Sequence, residues 1–247
     1  MKMDFPQEWF SAWFDSPYYH LLYFHHDDAD AKGFIDALIR HIALPTDAHI
    51  LDLACGRGRH AIYLNKKGYH VTGIDLSPKS IAIARKFENE KLHFDTHDMR
   101  EPLPLAEYDL ILNLFTSFGY FNTDAEHIRA LSHISRALKP GGSFVLDYMN
   151  AEKVSKNLVH RNSTVINGVT FQLERRLRGG FIEKDIRFVA DDGNEYFFQE
   201  RVRSFKLEEL RELIEKAGMQ VHAQWGSYEL DEFNRDESDR LIFYCKN

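Results

Sequence analysis

Apolar and polar positions alternate along the first half of this chain with two different periods. Ile50-Leu51-Asp52-Leu53, His70-Val71-Thr72-Gly73-Ile74 and Tyr108-Asp109-Leu110-Ile111-Leu112 are short, nearly continuous apolar runs. Runs of this kind form strands buried on both faces. Leu92 to Thr96 reads as a further strand, and Ser143 to Asp147 as a fifth, after the turn Leu138-Lys139-Pro140-Gly141-Gly142. Helical stretches lie between them. Residues 29–43 carry Phe34, Ile35, Leu38, Ile39 and Ile42 at helical spacing, and Pro45 ends that run. Strand–helix alternation predicts a mostly parallel sheet covered on both faces. Residues 5–26 hold Phe5, Trp9, Phe10, Trp13, Phe14, Tyr18, Tyr19, Tyr23 and Phe24, and read as an amphipathic helix packed on the core.

The pattern changes after Asn150. Thr164 to Ile166, Val169 to Leu177, Phe181 to Val189 and Tyr196 to Phe205 read as strands. Asn167-Gly168, Gly179-Gly180 and Asp192-Gly193-Asn194 separate them as hairpin turns. The expectation is a small antiparallel sheet inserted before a helix over Lys206–Lys216, which Gly218 terminates. Met219 to Ser227 and Arg240 to Cys245 then complete the main sheet as an antiparallel edge pair.

The chemistry concentrates at strand ends. Ile50 to His60 reads as strand, glycine turn and helix start, and Gly56 and Gly58 let the backbone bend sharply beside a ligand. Asp75 lies 19 residues after Gly56, at the end of the next strand, where a carboxylate can accept both hydroxyls of a ribose. Gly56-x-Gly58-x-x-Ala61 also fits the loose dinucleotide pattern. Asp52 argues against that ligand, because a carboxylate repels a pyrophosphate and suits the ammonium of S-adenosylmethionine. Asp98 follows the third strand, where it can accept from an adenine amine with Met99 against the ring.

These motifs in this order resemble the class I S-adenosylmethionine-dependent methyltransferases, strongly over residues 46–150 and more loosely beyond. Ala54 stands where that family often has glycine. The resemblance implies a Rossmann-like, doubly wound α/β fold with a seven-stranded sheet. It divides the chain into a helical cap (1–45), a cofactor-binding core (46–150), the inserted sheet (151–205) and a C-terminal completion of the core (206–247). It implies cofactor contacts at Asp52, Ala54, Gly56, Gly58, Asp75, Leu76, Asp98, Met99 and Asn113, with Asp52 and Gly56 at the methionine end. The aromatic N-terminal segment becomes a lid. Ser117-Phe118-Gly119-Tyr120-Phe121 and the opening Trp13-Phe14-Asp15-Ser16-Pro17-Tyr18-Tyr19 resemble a bacterial small-molecule subgroup with an inserted sheet. Tyr19 and Tyr120 are therefore the candidate catalytic residues, and the expected reaction is methyl transfer to an O or N atom of a small molecule. Tyr18, His20 and Glu200 are further candidates for a base.

Composition narrows the partners. The net charge of −7 opposes generic nucleic-acid binding. The fourth strand runs into Asn113-Leu114-Phe115-Thr116, which lacks the prolines of nucleic-acid amino-methyltransferases, and neither cysteine follows a proline. Two cysteines, no signal peptide and no membrane-length apolar run suggest a cytoplasmic protein, monomeric or homodimeric. His25-His26-Asp27-Asp28 lacks metal-ligand spacing, so no metal is expected. The basic run Arg175, Arg176, Arg178, Lys184 and Arg187 reads as one solvated sheet face. A non-catalytic cofactor-binding scaffold, or a nicotinamide-dependent oxidoreductase, is the alternative from another class.

Overall fold

In the computed structural model, residues 9–23 and 28–247 are described. Three helices open the chain: α1 (Trp9–Phe14), α2 (Pro17–Tyr23) and α3 (Asp28–Ile42). The core follows as β1 (His49–Leu53), α4 (Arg59–Lys66), β2 (His70–Asp75), α5 (Pro78–Ala84), β3 (Leu92–Thr96), β4 (Tyr108–Asn113), α6 (Asp124–Ala137), β5 (Leu138–Met149) and α7 (Ala151–Lys156). Next come β6 (Arg161–Ile166), β7 (Val169–Arg178), β8 (Phe181–Val189) and β9 (Glu195–Arg203). The chain closes with α8 (Leu207–Lys216), β10 (Gln220–Trp225) and β11 (Arg240–Lys246). Among the described residues no helix is long and apolar enough to cross a membrane.

Seven strands form one sheet in the order β10-β11-β5-β4-β1-β2-β3. The pairs from β3 to β5 are parallel, while β11 lies antiparallel to β5 and to β10. The order reverses between β1 and β4, which opens a crevice beyond their carboxyl ends. Leu51, Leu53, Ile111, Phe144 and Leu146 face α6 and α8 on one side of the sheet. Ile50, Val71, Leu110, Leu112 and Val145 face α3 and α4 on the other. The helices start where their sequences cap them. Thr123 and Glu126 form a reciprocal capping box on α6, and Ser77 caps α5 ahead of Pro78.

Two local expectations change. The aromatic N-terminal segment is two helices rather than one, because Pro17 cannot donate to α1 but fits the first position of α2. Residues 1–8 and 24–27, with Phe5, Phe24 and the His25-His26-Asp27 cluster, lie outside the described residues. Strand β5 begins at Leu138, paired to Tyr108, and not at Ser143. Lys139 to Gly142 form an irregularity inside it, with Gly141 at φ 77°.

The inserted segment is a four-stranded antiparallel sheet, β6-β7-β8-β9. Asn167 and Gly168 both take positive φ at its first hairpin, as a two-residue turn of that twist requires. Its inner face buries Phe171, Leu173, Ile186 and Phe188 against Trp13 and Leu22 of the N-terminal helices. Glu200 ties the two parts together. It accepts from Trp13 Nε1 at 2.7 Å and from the Tyr23 hydroxyl at 2.6 Å, and pairs with Lys184 at 3.2 Å. The basic run is therefore not one solvated face. Lys184 is half-buried in this network, and Arg176 pairs with Glu183 at 2.8 Å and Asp185 at 2.9 Å.

The shared core makes the sheet and the lid helices interdependent. Phe171 is fully buried and packs 4.8 Å from the Phe188 ring. Replacing it by alanine is expected to cost about 3–5 kcal/mol, read as a lower thermal unfolding midpoint. An unchanged midpoint would mean that this third core carries little of the stability.

Candidate cofactor and acceptor cavity

The turn after β1 is built from left-handed residues. Ala54, Gly56 and Gly58 have φ of 63°, 57° and 82°. Alanine at the first position bears a conformation that glycine adopts more freely. The two glycines serve different ends. A Cβ on Gly56 would project into open space, whereas one on Gly58 would sit 2.6 Å from the Phe94 ring. Gly58 is thus a packing requirement at the start of α4. The turn is pinned by the next strand end: the Asp75 carboxylate accepts the Gly56 N–H and the Ser77 N–H, each at 2.8 Å. Burial raises the Asp75 pKa, opposed by these N–H groups and that of Leu76.

A cavity opens at this place. Ala54, Gly56, Asp75, Leu76, Asp98 and Met99 line one wall. Phe14, Tyr19 and His20 come from the N-terminal helices, and Phe115, Ser117, Tyr120 and Phe121 from the segment after β4. The N-terminal helices are fastened beside Asp75: Asp15 accepts from Ser77 Oγ at 2.8 Å and pairs with Lys79 at 2.9 Å. Eight of the eleven residues expected at the site therefore meet in one cavity.

Asp52, Gly58 and Asn113 do not line it. Asp52 lies behind the turn and accepts the Ala61 N–H at 3.1 Å, bracing the first turn of α4. Burial pushes its pKa up to about 7. Asn113 is buried and donates through Nδ2 to the Leu53 carbonyl at 3.0 Å, joining β4 to β1. Their strand-end positions are as expected, but both side chains turn into the sheet interior. Asp75 is also less exposed than its place at a strand end suggests, because the N-terminal helices and the glycine turn close over it.

Tyr19 and Tyr120 both face the cavity, and neither is suited to be a base. Burial raises both phenol pKa values well above normal, helped by Glu200 nearby, so both stay protonated. Tyr120 donates to the Thr116 carbonyl at 2.8 Å. Tyr19 is fixed by ring contacts with Trp13, Phe14 and Tyr23 at 5.6, 4.9 and 5.0 Å. His20 lies 3.3 Å from Ser80 Oγ, and burial, with Arg57 nearby, lowers its pKa to about 4. The wall beside the tyrosines is therefore uncharged at neutral pH.

A buried ion pair that the sequence reading did not single out shapes the cavity floor. Phe115 and Thr116 have φ of 59° and 62°, a conformation that costs a non-glycine residue of order 1–3 kcal/mol. Asp147 accepts the Phe115 N–H at 2.7 Å and Arg240 Nε at 2.7 Å, and Arg240 donates to Thr116 Oγ1 at 2.9 Å. Asp147 was read only as the end of β5. Its partner lies 93 residues away on β11, and no local signal marks that pairing.

The raised pKa of Asp52 has a testable sign. Stability from the protonated carboxyl is present below the ordinary value of 3.8 and is lost as pH rises through about 7. Asp52→Asn does not ionise and can keep the Ala61 hydrogen bond. Its unfolding midpoint is expected to gain on the wild type steadily as pH rises across that window. A difference independent of pH would contradict the account of Asp52.

Comparison with known proteins agrees with this geometry. The methyltransferase domain family matches residues 50–142. A provisionally named methyltransferase of Bacillus subtilis (strain 168) is 29% identical over 213 residues, covering 81% of this chain and 85% of that protein. A dTDP-3-amino-3,4,6-trideoxy-α-D-glucopyranose N,N-dimethyltransferase of Streptomyces venezuelae is 28% identical over 173 residues, covering 67% and 70%. The crystal structure of an S-adenosylmethionine-dependent methyltransferase from Clostridium acetobutylicum ATCC 824 superposes with a TM-score of 0.80 at 22% identity, covering 93% and 95%. The matched domain lies over the glycine turn and the crevice, so residues 50–142 of this chain form an S-adenosylmethionine-dependent methyltransferase domain.

Proposed function

We propose that the cavity holds S-adenosylmethionine beside a small acceptor molecule, and that the enzyme methylates an O or N atom of that acceptor. The residues suit the cofactor. Gly56 leaves open space where a side chain would stand, so backbone can lie against a ligand. Asp75 uses its oxygens for two backbone N–H groups and retains lone pairs for ribose hydroxyls. His97, in the same wall, has a buried Nε2 with no hydrogen-bond partner among the described residues. In this reading Asp75 takes the ribose, Asp98 and Met99 take the adenine, and Ala54, Gly56 and Leu76 line the path between. Asp52, Gly58 and Asn113 support the turn from behind.

S-adenosylmethionine supplies, when bound, a methyl group already activated by a sulfonium charge. The chain's residues then have to align the acceptor and exclude water. The single observation that carries a small acceptor is the roof. Phe14, Tyr19 and His20 close the cavity from one side, Tyr120 and Phe121 from the other, and Asp15 holds the roof to α5. Such a chamber suits a compact molecule better than a polymer. Protonated Tyr19 orients the acceptor by donating a hydrogen bond, Tyr120, whose hydroxyl proton goes to the Thr116 carbonyl, does so by packing, and His20 stays neutral beside them. The Streptomyces relative, named for N-methylation of an amino sugar, supports an amine among the acceptors. We further infer a cytoplasmic enzyme, in keeping with two buried free thiols, Cys55 and Cys245, that acts as a monomer or homodimer without nucleic acid or membrane.

Two outcomes test this function. Asp75→Asn is expected to weaken S-adenosylhomocysteine binding by roughly 1–3 kcal/mol, measured by calorimetry; an unchanged affinity would leave Asp75 as a turn residue only. Incubated with tritiated-methyl cofactor and separate nucleic-acid, protein and small-metabolite fractions, the enzyme is expected to label the metabolites. Label confined to either polymer fraction would defeat the small-acceptor reading.

A further inference from the structure

Two consecutive residues at the end of β5 grip the segment that walls the cavity after β4. At the near end, Asp147 is fully buried. Its carboxylate takes the Phe115 N–H at 2.7 Å, Arg240 Nε at 2.7 Å and the Tyr228 hydroxyl at 3.3 Å, and its backbone carbonyl takes the Thr116 N–H at 3.0 Å. At the far end, Tyr148 donates its hydroxyl to the Arg203 carbonyl, and the Arg203 N–H donates to the Gly119 carbonyl at 2.8 Å. A Cβ on Gly119 would stand 2.4 Å from the Tyr148 oxygen, so the chain passes hard against that side chain. Between the two grips, Arg240 Nη2 donates to Thr116 Oγ1 at 2.9 Å, and the Thr116 carbonyl takes the Tyr120 hydroxyl at 2.8 Å. The Tyr120 ring then stands 5.3 Å from the Phe14 ring of the N-terminal helices, and both face the cavity. Contacts thus run unbroken from β11 to the cavity wall, through Arg240, Thr116 and Tyr120.

We propose that Arg240, acting with Asp147, is a positioning residue for the methyl acceptor. Phe115 and Thr116 sit in the left-handed region, which side chains such as theirs disfavour. Without a clamp their backbone relaxes out of it. The ion pair holds it there, aims the Thr116 carbonyl at Tyr120 and sets the Tyr120 ring as a fixed wall. The cofactor wall does not rest on these contacts, because Asp75 is held by the Gly56 and Ser77 N–H groups. Loosening Arg240 therefore shifts the acceptor against a cofactor that still binds. Displacement on a sulfonium methyl needs the two in line, so a small shift costs rate steeply. Lysine in place of Arg240 keeps the charge but cannot supply the planar fork that reaches Asp147 and Thr116 together. The inference rests on the small-acceptor reading and deepens it.

Calorimetry with S-adenosylhomocysteine, and tritiated-methyl transfer to the small-metabolite fraction at saturating cofactor, read the two walls separately. Arg240→Met is expected to keep the S-adenosylhomocysteine dissociation constant within about twofold while transfer slows by about tenfold or more. Adding Thr116→Gly to that variant is expected to raise the rate again by about threefold or more, because glycine holds φ near 62° without a clamp. A merely structural Arg240 lowers affinity and rate together, and a glycine that frees the backbone further restores neither. Where Arg240→Met does not fold, Arg240→Lys carries the comparison, with the same split and the same rescue expected. An unchanged rate, a parallel fall of rate and affinity, or no rescue overturns the inference and leaves the cofactor assignment standing. A wild type that labels no metabolite defeats the small-acceptor reading instead. The clamp is then read from a crystal structure of Arg240→Lys with S-adenosylhomocysteine. Phe115 and Thr116 are expected to leave positive φ there and Tyr120 to leave the Thr116 carbonyl; an unchanged path overturns the inference.

Discussion

The half-buried Asp75 carboxylate is the joint on which the site depends. The turn after β1 places left-handed residues at Ala54, Gly56 and Gly58, a path that exposes backbone N–H groups instead of pairing them in a sheet. Asp75 accepts one of these, from Gly56, and another from Ser77 at the start of α5. Two loops from separate strand ends are thereby locked to one side chain. Ser77 also donates to Asp15, so the same joint fixes where the N-terminal helices come down. Glycine turn, helix start and roof share one anchor.

The inserted sheet has its place through that roof. An antiparallel sheet of four strands needs an apolar partner for one face. Trp13 and Leu22 provide it, and Glu200 and Lys184 join the two parts by polar contacts at the rim of the same core. The insertion supports the lid from above while Asp15 holds it from below. Residues that do not line the cavity, such as Phe171 and Glu200, therefore bear on its shape. On the floor, Asp147 and Arg240 do the same for the strained pair Phe115 and Thr116.

Much of this was legible in the sequence because it rests on local periodicity and turn chemistry. The buried runs marked β1 to β4, and Asn167-Gly168 and Gly179-Gly180 marked the hairpins of the inserted sheet at the observed turns. The carboxylate ending β2 stood out by its distance from Gly56. What could not be read was the choice of side-chain partners. Asp15 finds Ser77 across 62 residues, Tyr23 finds Glu200 across 177, and Arg240 finds Asp147 across 93. None of these pairs leaves a repeat in the chain. Orientation was equally hidden: Asp52 and Asn113 sit at the right strand ends, but whether a side chain there faces the crevice or the sheet interior depends on how the neighbouring turn folds over it. The basic run on β7 and β8 read as a solvated face because its acidic partners lie on adjacent strands.

The central claim is that one cavity, roofed by the N-terminal helices, takes the cofactor against Asp75 and keeps room for an acceptor between Tyr19 and Tyr120. A crystal structure of the protein grown with S-adenosylhomocysteine tests it most directly. The account requires the ribose at Asp75, the purine at Asp98, the roof closed, and an unfilled space beside the sulfur walled by the two tyrosines. Density for the ligand outside this cavity, or inside it with Asp75 turned away from the ribose, would contradict the account.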